Sequence, residues 1–306
     1  MQRRFIDYLV ISLKGVAMGA ADAVPGVSGG TIAFISGIYE ELITTISNVN
    51  LSLLKTLFNK GLKSFWSQLN GNFLLALLVG IIISFVSFMR IAKYLIENEP
   101  ILIWSFFFGL IIASIYFVGK QITNWNLATV MGLIFGAVVA YYISTLSSLA
   151  DNEHTLFLFF AGAIAICAMI LPGISGSFIL VILGAYKTLS DALYGFDFKK
   201  ILIFAGGALI GILSFSHLLK WLFKHYHNLT LAILTGFIFG SLNKVWPWKQ
   251  TLTWHFNSKG IKMPLLDKSV SPFSIEGENH MIFAIILMVI GFFTIIFLER
   301  LGSKKD

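Results

Sequence analysis

The sequence predicts an all-α polytopic membrane protein made of two inverted repeats, each a Pro/Gly-broken, re-entrant helix hairpin followed by three transmembrane helices. Three observations carry this. The 306 residues are 57% hydrophobic and only 12% charged, with a mean hydropathy of +0.84, too apolar for a water-soluble domain. A short motif occurs twice, as PGVSGGT from Pro25 to Thr31 and as PGISGSF from Pro172 to Phe178. Around it, Gly15, Ala21, Ser28, Gly29, Gly37, Tyr39 and Leu42 return as Gly162, Ala168, Ser175, Gly176, Gly184, Tyr186 and Leu189, all 147 residues later, which marks an internal repeat.

The first repeat occupies residues 1–150. Its hairpin covers 5–47, with one arm before the motif and one after it. Pro and Gly break a helix, and a break at membrane depth survives only inside protein or beside a polar cavity. A tip of this kind predicts a segment that enters the membrane and returns, although two complete spans fit the same residues. Arg3 and Arg4 followed by an apolar run resemble a signal peptide, but Asp7 and Lys14 interrupt the run. Residues 1–24 are therefore read as part of the fold.

Residues 50–69 place Leu51, Leu54, Phe58, Leu62 and Phe65 at helical spacing with lysines between them, the pattern of a helix lying on the membrane surface. Apolar runs at 73–95, 101–119 and 127–147 then reach the length of a bilayer span.

The second repeat occupies 151–306, with its hairpin at 156–193 and spans at 201–222, 229–245 and 281–298. Residues 246–279 read as an external loop. Beyond the hairpins the register resumes at a separation of 127 residues, pairing Gly80, Arg90, Lys93, Gly109 and Ser114 with Gly207, His217, Lys220, Gly236 and Ser241. The surface helix, present only in the first half, accounts for the change. Each half then crosses an odd number of times, so the two must be inverted. Most Lys and Arg residues fall on one side in this arrangement, which puts both termini in the cytoplasm.

The formal net charge of +7 is spread near segment ends, which suits a membrane surface better than nucleic acid. Cys167 stands alone and the six His residues form no metal-binding or catalytic spacing. No cofactor, metal or catalytic residue is expected.

The motifs supply the chemistry. Pro followed by Gly and Ser starts a helix well, and bare N–H groups at a helix start attract anions without a charged side chain. Gly26, Ser28, Gly29, Gly30 and Thr31, with Gly173, Ser175, Gly176 and Ser177, are the candidate contacts for an anionic head group. Small residues also serve simple helix packing, but two symmetric breaks favour a substrate site. Asp22, replaced by Met169 in the second copy, suits a helix cap, a proton carrier or a cation ligand. Arg90 and His217 lie a turn deeper than Lys93 and Lys220, where they could pass an anion toward the tips.

These motifs, GAADAVPGVSGG and LPGISGSFILVILGAY, resemble those of the PopT-type polyprenyl-phosphate transporters, a family formerly catalogued as a bacterial domain of unknown function. The resemblance spans nearly the whole chain. It implies a flippase in the bacterial cytoplasmic membrane that returns undecaprenyl phosphate, the carrier lipid of envelope polymers, to the inner leaflet. Proton or sodium coupling is open. A small-anion transporter or channel is the alternative, and a membrane lipid phosphatase a weaker one, because the sequence lacks a nucleophile paired with a base.

Overall fold

The computed structural model describes residues 3–24, 27–146, 154–256, 262–275 and 278–303. Among these, helix dominates, in the order α1 (Phe5–Asp22), α2 (Gly29–Ile35), α3 (Tyr39–Ser47), α4 (Leu51–Leu69), α5 (Gly71–Asn98), α6 (Pro100–Gly119) and α7 (Leu127–Thr145). There follow α8 (Thr155–Ile170), α9 (Gly176–Ile182), α10 (Tyr186–Tyr194), α11 (Phe198–His225), α12 (His227–Gly240) and α13 (Met281–Ser303). Four of them, α5, α6, α7 and α11, are long and apolar enough to cross a membrane, and the bent pair α9–α10 would make a fifth. This is a multi-pass membrane protein.

The outgoing arm of each hairpin differs from the sequence expectation. Instead of one helix after the motif there are two short ones, α2 and α3 in the first half and α9 and α10 in the second. Gly37 at φ +73° and Gly184 at φ +68° take the left-handed conformation, which ends a helix and suits glycine. In the second hairpin the chain turns by 109° there.

Expected span 229–245 also ends early. α12 stops at Gly240, and Ser241–Asn243 tighten into a 3₁₀ turn. Within the loop at 246–279, β1 (Lys249–Phe256) and β2 (Lys262–Ser269) pair antiparallel, a hairpin the sequence reading did not anticipate. Its alternation was obscured by a register shift between Thr251 and Trp254, which breaks the period of two that identifies a strand.

Helix α4 occupies the segment expected to lie on the membrane surface. Leu54, Phe58 and Leu62 are exposed, and the helix kinks at Gly61, whose φ is +77°.

Packing repeats with the sequence. α1 lies on α5 as α8 lies on α11, and α6 packs on α13 as α12 packs on α7. The contacts match residue by residue. A Cβ at Gly15 would strike the Leu77 carbonyl, and one at Gly162 the Phe204 carbonyl. Likewise Gly109 abuts the Met288 carbonyl and Gly236 the Leu133 carbonyl. Without water to drive association, helices in lipid gain from such close backbone approach. The last helix of each half thus packs against the other half.

Candidate functional site

At the first tip, α1 ends at Asp22 and the chain restarts as α2. The Asp22 carboxylate accepts the Gly29 N–H at 2.6 Å, and the Ser28 hydroxyl accepts the Gly30 N–H at 3.1 Å. The anion at this helix start is therefore the protein's own. At the far end of α2, the buried Lys14 ammonium donates to the Ser36 carbonyl at 2.6 Å. A seven-residue helix thus carries a carboxylate at its positive end and an ammonium at its negative end, both supplied by α1, as the helix dipole favours.

The second tip lacks both. Ala161 and Met169 stand where the repeat would place Lys14 and Asp22, and no side chain caps α9. The Ser175 and Ser177 hydroxyls lie 2.9 Å apart; Ser177 is exposed and Ser175 half-buried. The two tips are built alike in sequence, but among the described residues the second exposes a hydroxyl, that of Ser177, while Ser28 to Thr31 of the first are buried.

The tips touch. Ser28 donates its hydroxyl hydrogen to the Met169 carbonyl at 3.2 Å, and Gly173 N–H donates to the Thr31 hydroxyl at 2.9 Å. Ser28, Gly29, Gly30 and Thr31 are buried in this junction, while Gly176 is buried and Gly173 half-buried on the other side. Gly26 lies outside the described residues. Arg90 on α5 and His217 on α11 are exposed, and His217 Nδ1 lies 2.7 Å from the Leu213 carbonyl of its own helix. Among the described residues, no hydrogen bond or ion pair joins either to the tips.

Two hollows flank the second tip. One is water-sized, about 10 Å³, and partly polar, setting Ser144, Ser175, Ser241 and Lys244 beside Gly173 and apolar side chains such as Ile143 and Phe178. The other is apolar, about 410 Å³, and runs between α11 and α12 past Leu171, Phe215, Leu219, Ile233 and Phe237. Gly173 faces the first and Leu171 the second. The short segment between them is the partition, held close because a Cβ at Gly173 would press on the Phe237 carbonyl at 2.7 Å.

A family model described as undecaprenyl phosphate translocase-like matches residues 18–263. The chain belongs to this family. Among curated relatives of this translocase-like chain, one from Vibrio cholerae serotype O1, named polyprenyl-phosphate transporter, is 45% identical over 308 residues, covering 99% of this chain and 100% of the relative. Another of the same name, from Staphylococcus aureus, is 34% identical over 255 residues, covering 77% of this chain and 85% of its own length. No solved structure matches.

Two residues near the tips of this translocase-like chain carried little sequence signal. Lys14 showed only as a charge interrupting an apolar run; a lone charge at membrane depth points to a buried partner. Lys244 carried no signal, being one lysine among several near the loop. Glu40 and Glu41 open α3, where Glu41 grips Arg3 at 2.6 and 2.7 Å and Glu40 meets His227 at 3.1 Å.

Behind the polar hollow, the Lys249 ammonium sits 3.8 Å from the centre of the Trp104 ring and donates to the Lys244 carbonyl at 2.5 Å. Burial pushes Lys249 down from an ordinary 10.5 to about 7, the charge of Lys244 adds to the fall, and Asp267 opposes it. Between those two values the unfolded chain holds a proton that the folded chain has released, so stability rises with pH across that window. Thermal unfolding of the detergent-solubilised protein is expected to shift upward from pH 7 toward pH 10. Lys249→Met should remove that part of the slope.

Proposed function

We propose that this chain carries polyprenyl phosphate, with undecaprenyl phosphate as the natural form, across the bacterial cytoplasmic membrane. The reading is transport rather than catalysis, as in the family. One observation carries it: a polar hollow and an apolar cavity of about 410 Å³ meet at the two sides of one tip segment, Leu171 to Gly173. The rim of the first offers donors to a phosphate and the second gives room to part of a hydrocarbon chain. A small inorganic anion would leave the apolar cavity without a role.

In this reading the phosphate rests against Ser175 and Ser177, whose hydroxyls pair with each other at the surface, and the prenyl chain lies along α11 and α12. Ser28, Gly29, Gly30 and Thr31 brace the second tip from behind. Moving a bare anion through hydrocarbon is costly, and a donor-lined tip reached from each side in turn lowers that cost. The two halves, 1–150 and 151–306, are taken as inverted, with both termini cytoplasmic. Arg90 and His217, near opposite surfaces, would attract head groups toward the tips. A proton or sodium gradient would set the direction.

The test is reconstitution in liposomes with a labelled polyprenyl phosphate, following its exchange between leaflets. The wild-type protein is expected to accelerate exchange, and the Ser175→Ala/Ser177→Ala double variant to lose at least about tenfold of that acceleration, two hydrogen bonds to a charged group being removed. Exchange by the double variant at the wild-type rate would rule out this head-group site. Wild-type protein that passes inorganic phosphate and leaves the lipid in place would favour the small-anion alternative.

A further inference from the structure

We infer that Lys244 is the cation that receives the phosphate at the mouth of the polar hollow, and that the β-hairpin exists in part to hold it there. This rests on the reading that the second tip takes the head group.

Lys244 follows the 3₁₀ turn Ser241–Asn243 and is the one cation lining the hollow, beside Ser144, Ser175 and Ser241. Its ammonium lies 4.1 Å from the centre of the Phe178 ring, a residue of the second motif. A ring face attracts a cation yet leaves its N–H donors free for an anion. Among the described residues the ammonium forms no ion pair. Asp267, the acid nearest in effect, accepts a hydrogen bond from the Thr251 hydroxyl at 2.8 Å.

The backbone that bears Lys244 is fastened from the loop side. Lys249 donates to its carbonyl at 2.5 Å, and the Ser269 hydroxyl donates to Asn243 at its carbonyl, 3.2 Å, and at its side-chain oxygen, 2.9 Å. Asn243 in turn donates to the Ser144 hydroxyl at 3.4 Å. Lys249 and Ser269 are the paired end residues of the two strands, so the hairpin base clamps the turn.

The hollow is too small to swallow a phosphate; its rim is the binding surface. There Ser177 is exposed and Ser175 and Lys244 are half-buried, offering two hydroxyls and an ammonium to an anion whose chain continues into lipid. A charge-assisted contact of this kind is roughly twice as strong as a neutral one. In the first half the equivalent of Lys244 is Phe117. The cation therefore stands at the tip that exposes its hydroxyls and has no counterpart at the tip that Asp22 closes.

The experiment is leaflet exchange of labelled polyprenyl phosphate by full-length wild-type, Lys244→Met and Lys244→Arg proteins in liposomes, over a range of lipid concentrations. Lys244→Met should raise the apparent KM about 10- to 100-fold, the loss of a hydrogen bond to a charged partner, with the maximal rate far less changed. Lys244→Arg should stay within a few-fold of wild type. An unchanged KM in Lys244→Met overturns the assignment while leaving the transport reading intact. Equal loss in Met and Arg also overturns it, because it would mark packing against Phe178 rather than charge. A wild-type protein that moves no lipid would sink the transport reading first and this assignment with it.

Discussion

Gly30→Ala is expected to abolish lipid exchange. The added Cβ would sit 2.6 Å from the Ile170 carbonyl oxygen and 3.0 Å from that of Met169. Both obstacles are backbone, so neither can swing aside as a side chain would. Overpacking of this kind costs about 1–3 kcal/mol, and it falls on the junction where Ser28 bonds Met169 and Thr31 bonds Gly173. The tips must part or tilt. Gly119 is the control: nothing lies within 4 Å of a Cβ placed there, so Gly119→Ala should exchange lipid at the wild-type rate. Wild-type exchange by Gly30→Ala would mean that tip contact is not needed for transport.

Asp22 offers the second large effect, and two substitutions separate its roles. Asp22→Ala leaves the Gly29 N–H buried without its acceptor, at a cost of about 1–3 kcal/mol, and should lower thermal stability. Asp22→Asn retains a side-chain oxygen able to accept that N–H, so a capping role predicts stability and exchange close to wild type. If Asp22 instead carries the coupling proton, Asp22→Asn would fold normally yet lose its response to an imposed gradient. Measuring melting temperature and gradient response on both variants decides between cap and carrier.

Much of the architecture was legible because the repeat does the reading. Gly15, Gly80 and Gly109 recur as Gly162, Gly207 and Gly236, and the structure uses equivalent glycines for equivalent helix contacts. The same register contained a signal that went unused: Gly37 and Gly184 are a repeated pair, and both end a short helix in the left-handed conformation. A glycine in an apolar run reads as tolerable within a helix, so each outgoing arm was expected as one piece.

The site was legible in part, for a different reason. Proline, glycine and serine identify where a helix restarts, but not which donors remain free once the chain has folded. That depends on Asp22 and Lys14, whose reach to Gly29 and Ser36 crosses from one helix to the next. Lys244 is farther still from any local pattern, since its position follows from a β-hairpin whose strands were hidden by a register shift. Local periodicity carries backbone shape; it says little about contacts made by tertiary closure.

The crossed pairing of α6 with α13 and α12 with α7 bears on how such a chain can change over time. Each half lends its final helix to the other, so deleting either would strand a glycine-faced neighbour in lipid. The two copies differ inside that frame, with Lys14 and Asp22 in one standing where the other has Ala161 and Met169.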